Sequence, residues 1–158
     1  MSKFWGFLQL VIIFSLIFVC TACGGTIASA DGMMKCSRAG SIDGGTTNMN
    51  YEVYYEGEYL TILHSVEQII SDDSSILDIY EEAYNNINKQ YKGLEYYDTE
   101  VVRDNNSVTR DTTINYAKID IEALLDIEGS EDNVIDSDGK VKLQTWLDFT
   151  KPFGVKCE

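Results

Sequence analysis

The feature that most limits what this chain can fold into lies at its start. From Phe4 to Val19 the sequence is apolar apart from Gln9 and Ser15, and Lys3 stands just before the run. No polar stripe interrupts it, so it lacks the two-sided pattern of a helix packed on a core. A positive start, an apolar centre and the small residues Thr21, Ala22, Gly24 and Gly25 beyond it form the pattern of a secretory signal. The run sits at the short end of the ~17–25 residues that span a bilayer, so a retained N-terminal helix is the alternative. Both readings put the rest of the chain outside the inner membrane, and the domain must be built from the residues beyond this segment.

Ala22 before Cys23 resembles a bacterial lipobox, which implies lipid attachment at Cys23. The place three residues earlier, usually Leu, Val or Ile, holds Cys20. Cys20 is the poorer site, because Val19 before it is too large for the cleavage pocket. The expected division is a signal segment over 1–23, a small and polar tether over 24–32, and a single domain over 33–158. Without 1–23 the chain keeps 135 residues, enough for one domain with a core of its own. Losing Lys3 takes the formal charge from −14 to −15. Such a surface repels phosphate backbones and excludes nucleic acid as a partner class. It is also repelled by anionic headgroups, so membrane attachment must come from the anchor. Cationic or protein partners in the envelope are the ones this charge favours, although solubility alone also accounts for it. Abundant tyrosine and a single proline argue against disorder.

Of the four cysteines, Cys20 leaves with the signal and Cys23 carries the lipid. Cys36 and Cys157 remain, one near each end of the domain. An exported chain with two such residues is expected to join them in a disulfide. Free or metal-binding thiols are the rival, but two Cys and one His make a poor zinc set.

Strand formers fill Met33–Ala39, Tyr51–Tyr55 and Tyr59–Ile70, with a loop expected over 41–47 and a hairpin turn at Glu56-Gly57-Glu58. On the third segment Leu60, Ile62 and Val66 are expected to share one face. Ser71 to Ser75 supplies caps for the clearest helix, in which Ile76, Ile79, Tyr80, Ala83, Tyr84, Ile87 and Tyr91 form an apolar stripe, ending at Gly93. A second hairpin comes next, Leu94–Arg103 and Val108–Lys118, with Val108, Thr112, Ile114 and Tyr116 on one face. Asp120 can cap a short helix through Ile127, residues 129–139 form an acidic loop, and Val141–Phe149 reads as a last helix before Pro152. This order predicts an α+β fold. An antiparallel sheet of two hairpins plus a first strand carries one long amphipathic helix and one or two short C-terminal helices on one face.

Several local features resemble those of the YehR-like lipoproteins, small bacterial lipoproteins built on a domain of unknown function. They are Val53-Tyr54-Tyr55-Glu56-Gly57-Glu58, Tyr91-Lys92-Gly93-Leu94, Ile114-Asn115-Tyr116-Ala117-Lys118-Ile119-Asp120 followed by Leu124-Leu125, and the closing Phe153-Gly154-Val155-Lys156-Cys157. The similarity covers roughly 33–158. It implies a lipid-anchored α+β domain and, as in some members, an early Cys paired with a late one, here Cys36 with Cys157. It implies no activity.

The residues offer no catalytic set. His64, the sole histidine, lies among strand residues without a nucleophile motif nearby and reads as a hydrogen-bonded structural residue. Asp136-Ser137-Asp138-Gly139 resembles part of a calcium loop, but the alignment puts Val134 and Thr145 where carboxylates are required, so Asp136 or Asp138 reads better as a cap of the last helix. Tyr80, Tyr84 and Tyr91 read as core, whereas Tyr54 and Tyr55 must point to opposite faces. No metal, cofactor or catalytic residue is assigned. The expected function is that of a membrane-anchored, non-enzymatic binding or interaction module. A structural envelope role is the alternative, and a carboxylate-based hydrolase ranks last.

Overall fold

The computed structural model describes residues 30–129 and 134–158. Its strands are β1 (Gly32–Ile42), β2 (Gly45–Glu56), β3 (Tyr59–Ile70), β4 (Tyr97–Arg103), β5 (Ser107–Asn115), β6 (Val141–Lys142) and β7 (Lys156–Cys157). Its α-helices are α1 (Ser74–Gln90), α2 (Ile121–Glu128) and α3 (Leu143–Thr150). The seven strands form one sheet in the order β4-β5-β3-β2-β1-β7, with β6 also paired to β3. Every pairing is antiparallel. The α+β architecture expected from the sequence is the one observed.

The first hairpin is longer than its composition suggests. Ile42 pairs with Gly45, so the loop expected over 41–47 shrinks to Asp43 and Gly44. Gly44 has a φ of +75°, which glycine adopts without penalty. A Cβ on Gly45 would collide with the Ile70 carbonyl, so glycine there permits the close approach of β2 to the end of β3. The sheet also begins earlier than the tether boundary at 32. Asp31 N–H donates to the Tyr55 carbonyl at 2.9 Å, and the Asp31 carboxylate accepts the Gly57 N–H at 3.0 Å.

Strand β3 departs from simple alternation, and this corrects the expected face. Tyr54 pairs with Ile62 but Tyr55 pairs with Leu60, leaving Thr61 as a bulge. The extra residue turns Leu60 onto the face already occupied by Leu63 and Ile69, and all three are buried. Ile62 and Val66 point to the opposite, uncovered face. The bulge is well satisfied: the Thr61 hydroxyl donates to the Tyr54 carbonyl at 3.1 Å, and its own carbonyl accepts the Ala117 N–H at 3.3 Å.

Helix α1 starts as its caps predict, with the Asp73 carboxylate accepting the Ser75 N–H at 2.9 Å. Its buried line is rotated from the expected stripe. Leu77 is fully enclosed and Tyr84 nearly so, whereas Ile79 is 66% exposed. Tyr80 joins the buried line beside Ile69 and Val108. The stripe fails at Ile79, which sits one position, about 100° of helix rotation, from Tyr80; Ala83 and Ile87 are exposed as well.

The second half of the core lies under α2 and α3. Trp146 packs with Cys36, Val53, Leu60, Leu63 and Val141, and its ring meets Tyr51 edge-on at 5.7 Å. Asp120 caps α2 through the Glu122 and Ala123 N–H groups. The expected cap of α3 by Asp136 or Asp138 is not made; Lys142 precedes that helix without a side-chain cap. The Asp136 carboxylate instead accepts the Asp138 and Lys140 N–H groups at 3.0 and 2.9 Å and folds its own turn. That turn delivers Val141 and Lys142 to β3 as a two-residue strand, where the sequence suggested helix.

Candidate functional site

The edge of β3 is shared by two partners, and a cavity opens where they part. β5 pairs with β3 only as far as Ile62, and β6 takes over at Leu60. Between them Thr61 bulges, and the chain leaves β5 through Tyr116 and Ala117. The space left is a cavity of about 720 Å³, within the range of small-molecule sites. Its floor is apolar, formed by Leu60, Ile119, Ile121 and Val141. Tyr59 and Tyr116 supply aromatic walls, and Asp31, Glu56, Asp138 and Lys140 stand at the rim. The Lys140 ammonium lies 4.6 Å from the centroid of the Tyr59 ring. Burial keeps the Tyr116 phenol protonated by pushing its pKa up, with the Glu128 charge acting the same way.

A second group of polar residues lies on the uncovered face. His64 Nε2 is 2.9 Å from Asp111 Oδ1, and His64 Nδ1 is 3.7 Å from Glu52 Oε2. Cross-strand pairing places Glu52 directly opposite His64, and the Tyr54 hydroxyl donates to the same Glu52 carboxylate at 3.1 Å. Burial opposes ionisation of Glu52, but the Tyr54 hydroxyl, Lys35 and His64 outweigh it and hold its pKa below the usual value. The carboxylates of Glu52 and Asp111 are 37% and 50% exposed. His64 is therefore hydrogen-bonded as expected, on an open sheet face rather than in a cleft.

Beneath α1 the sheet holds a largely covered cation. Arg110 donates from Nε to Asn88 Oδ1 at 2.9 Å and from an NH group to the Tyr97 hydroxyl at 3.0 Å. Glu67 Oε2 lies 3.8 Å away. Tyr84 stands in the same layer, and burial pushes its pKa up to about 12. Tyr91 stacks on Tyr97 with centroids 4.1 Å apart. Tyr80, Tyr84 and Tyr91 thus line the core as read from the sequence, while Tyr54 and Tyr55 take opposite faces.

Cys36 and Cys157 form a disulfide, S–S 2.05 Å, between residues directly opposed in the β1–β7 pair. Cys23 and the signal segment lie outside the described residues, as do 130–133 of the acidic loop. Among the described residues no group of three or more His, Cys, Asp or Glu side chains is arranged to hold a metal ion. No helix among them is long and apolar enough to cross a membrane. Sequence reading missed the cavity because its residues come from four separate segments. The Thr61 bulge that opens it has no signature in composition.

A scan against protein-family models returns no match, and a search of curated proteins returns none either. Two solved structures share the fold. The NMR structure of the E. coli YehR protein superposes with a TM-score of 0.58 at 16% identity, over 82% of this chain and 93% of that one. The NMR structure of a protein from Streptococcus pneumoniae TIGR4 superposes at 0.53 with 11% identity, over 88% and 94%. At these identities the likeness is one of architecture, and on it the chain has a YehR-like fold.

Proposed function

We propose that this protein is a YehR-like lipoprotein held on the outer side of a membrane through Cys23, with a domain that binds a small ligand or envelope partner and carries out no chemistry. The observation that carries the binding reading is the cavity at the divided edge of β3, with its apolar floor and polar rim. The Cys36–Cys157 bridge supports the location, since such a bond persists in oxidising compartments. A carboxylate hydrolase finds little support: Glu52 and Asp111 face a common histidine on an open, solvated sheet face, and, against the effect of burial, the Tyr54 hydroxyl, Lys35 and His64 hold the Glu52 pKa below its usual value, the opposite of what a general acid requires. A structural envelope role would need no cavity.

Intact mass analysis of the native protein tests the anchor. A diacylglyceryl adduct on a chain beginning at Cys23, and two hydrogens missing from Cys36 and Cys157, are expected. A mass that retains Met1 to Ala22 would rule out lipidation and leave a signal anchor. Binding is tested by a protein-observed heteronuclear NMR screen of the full chain in non-ionic detergent against a mixed fragment library. Hits that shift amides around Thr61 and Gly139 are expected, and no hit there would return the structural role to first place.

A further inference from the structure

We infer that the cavity at the divided edge of β3 takes a small organic cation, a protonated amine with a short apolar tail, and that Lys140 occupies the cation's place until it arrives. The inference rests on the binding reading above and adds the ligand's chemical class. Three observations converge on it. The first is the Tyr59 ring, whose face already holds an ammonium group at 4.6 Å. That is the distance and geometry at which an aromatic face attracts a cation. The second is charge. Asp31, Glu56 and Asp138 stand at the rim, against Lys140 as the cation among the described lining residues. The Asp31 carboxylate is fixed there by the Gly57 N–H, so its charge does not swing away. The third is the floor. Leu60, Ile119 and Val141 back the cavity as buried core residues, and the partly exposed Ile121 and Tyr116 offer it apolar surface. An anion would meet the acidic rim, and a neutral apolar molecule would leave the Tyr59 face and the carboxylates unused.

Lys140 gives the site a built-in competitor. Its backbone is locked on both sides, its N–H donating to Asp136 Oδ1 at 2.9 Å and its carbonyl accepting the Asp136 N–H at 2.7 Å. The side chain itself is exposed and can swing out to water. An incoming amine therefore replaces one ammonium by another on the ring and adds the burial of its tail on the floor.

The test uses n-butylamine and its neutral counterpart 1-butanol, titrated at neutral pH into the full chain in non-ionic detergent. Amide shifts of Gly57, Thr61, Ala117 and Gly139 are followed by heteronuclear NMR. Saturable shifts at these residues with the amine, and weaker binding of the alcohol, are expected. Tyr59→Leu should weaken the amine by about five- to tenfold, the worth of one cation–ring contact, while Tyr59→Phe should retain it. Lys140→Met should tighten it by about two- to fivefold, because the competitor is gone. Each variant is accepted only if its amide spectrum stays dispersed. Equal binding of butanol, an absence of saturable shifts, or weaker binding by Lys140→Met would each overturn the inference. A neutral or anionic fragment found in the cavity would overturn the amine assignment while leaving the binding reading in place.

Discussion

Single side chains decide how the helix layer is held. Leu77 is fully enclosed between α1 and the sheet, so Leu77→Ala should cost about 2–5 kcal/mol of unfolding free energy. Ile79→Ala, two residues on but solvent-facing, should stay within about 0.5 kcal/mol, and urea unfolding of both variants checks the contrast. The sequence stripe ranked these two the other way round. Hydrophobicity marks which residues are apolar, but the sheet decides which line of the helix it receives. Glu67 offers a pH test. Burial raises its pKa, and the Arg110 charge offsets this only in part. The folded protein therefore keeps the Glu67 proton to higher pH than the unfolded chain, whose carboxyl ionises near 4.5. The stability this group contributes is fully present below that pH and is lost as pH rises through the raised value. Glu67→Gln has no such titration. The stability of the native protein minus that of the variant should fall with rising pH, measured by urea unfolding from about pH 4 to 7.

At the scale of elements, register is the quantity at stake. Thr61 is the one extra residue that lets Leu60 and Leu63 share a face. Deleting it would turn either Leu60 or the whole upper part of β3 to the wrong side, because a one-residue slip reverses strand alternation. The loss of Leu60 burial alone is about 1.5–3 kcal/mol, and denaturant unfolding of the deletion variant should show at least that. The strands, the turn at Gly57, the caps at Asp73 and Asp120 and the long helix were legible in the sequence, since each rests on local chemistry. The Thr61 bulge, the short turn at Gly44 and the two-residue strand β6 were not. The close approach of Gly45 depends on Ile70 and β6 on Leu60, each far along the chain, and the bulge depends on a cross-strand offset against Tyr54 that composition does not mark. For the same reason the cavity between β5 and β6 had no local signature. The partner of β7 was legible through its cysteine, expected to meet Cys36. Reduction of the Cys36–Cys157 bond should lower stability by about 2–5 kcal/mol, with faster hydrogen exchange at the Lys35 amide, which donates to the Glu158 carbonyl across that pair.

For the whole molecule, charge and attachment are separate matters. Residues 24–158 carry a formal charge of −15, and a domain so charged gains nothing from approaching an anionic bilayer. Native protein reconstituted into anionic vesicles should float with them in a density gradient, whereas chain cut free of residues 1–23 should remain in the soluble fractions at every salt concentration. Co-flotation of the cut form would mean that the domain itself holds the lipid. The α+β plan was readable at this scale because it derives from the order of elements. The pairing order of the sheet was not, since β7 and β6 are each two residues long and are held by contacts from the far side of the chain. The β7 clasp has a consequence in time. Its disulfide spans 121 positions, and beside it Lys35 and Glu158 exchange backbone hydrogen bonds, each N–H donating to the other's carbonyl. A chain that folds from its N-terminal side can build the hairpins as it goes, but the outer edge of β1 stays uncovered until Lys156 and Cys157 are available to pair with it. A chain that stops short of Cys157 therefore carries an open edge on β1.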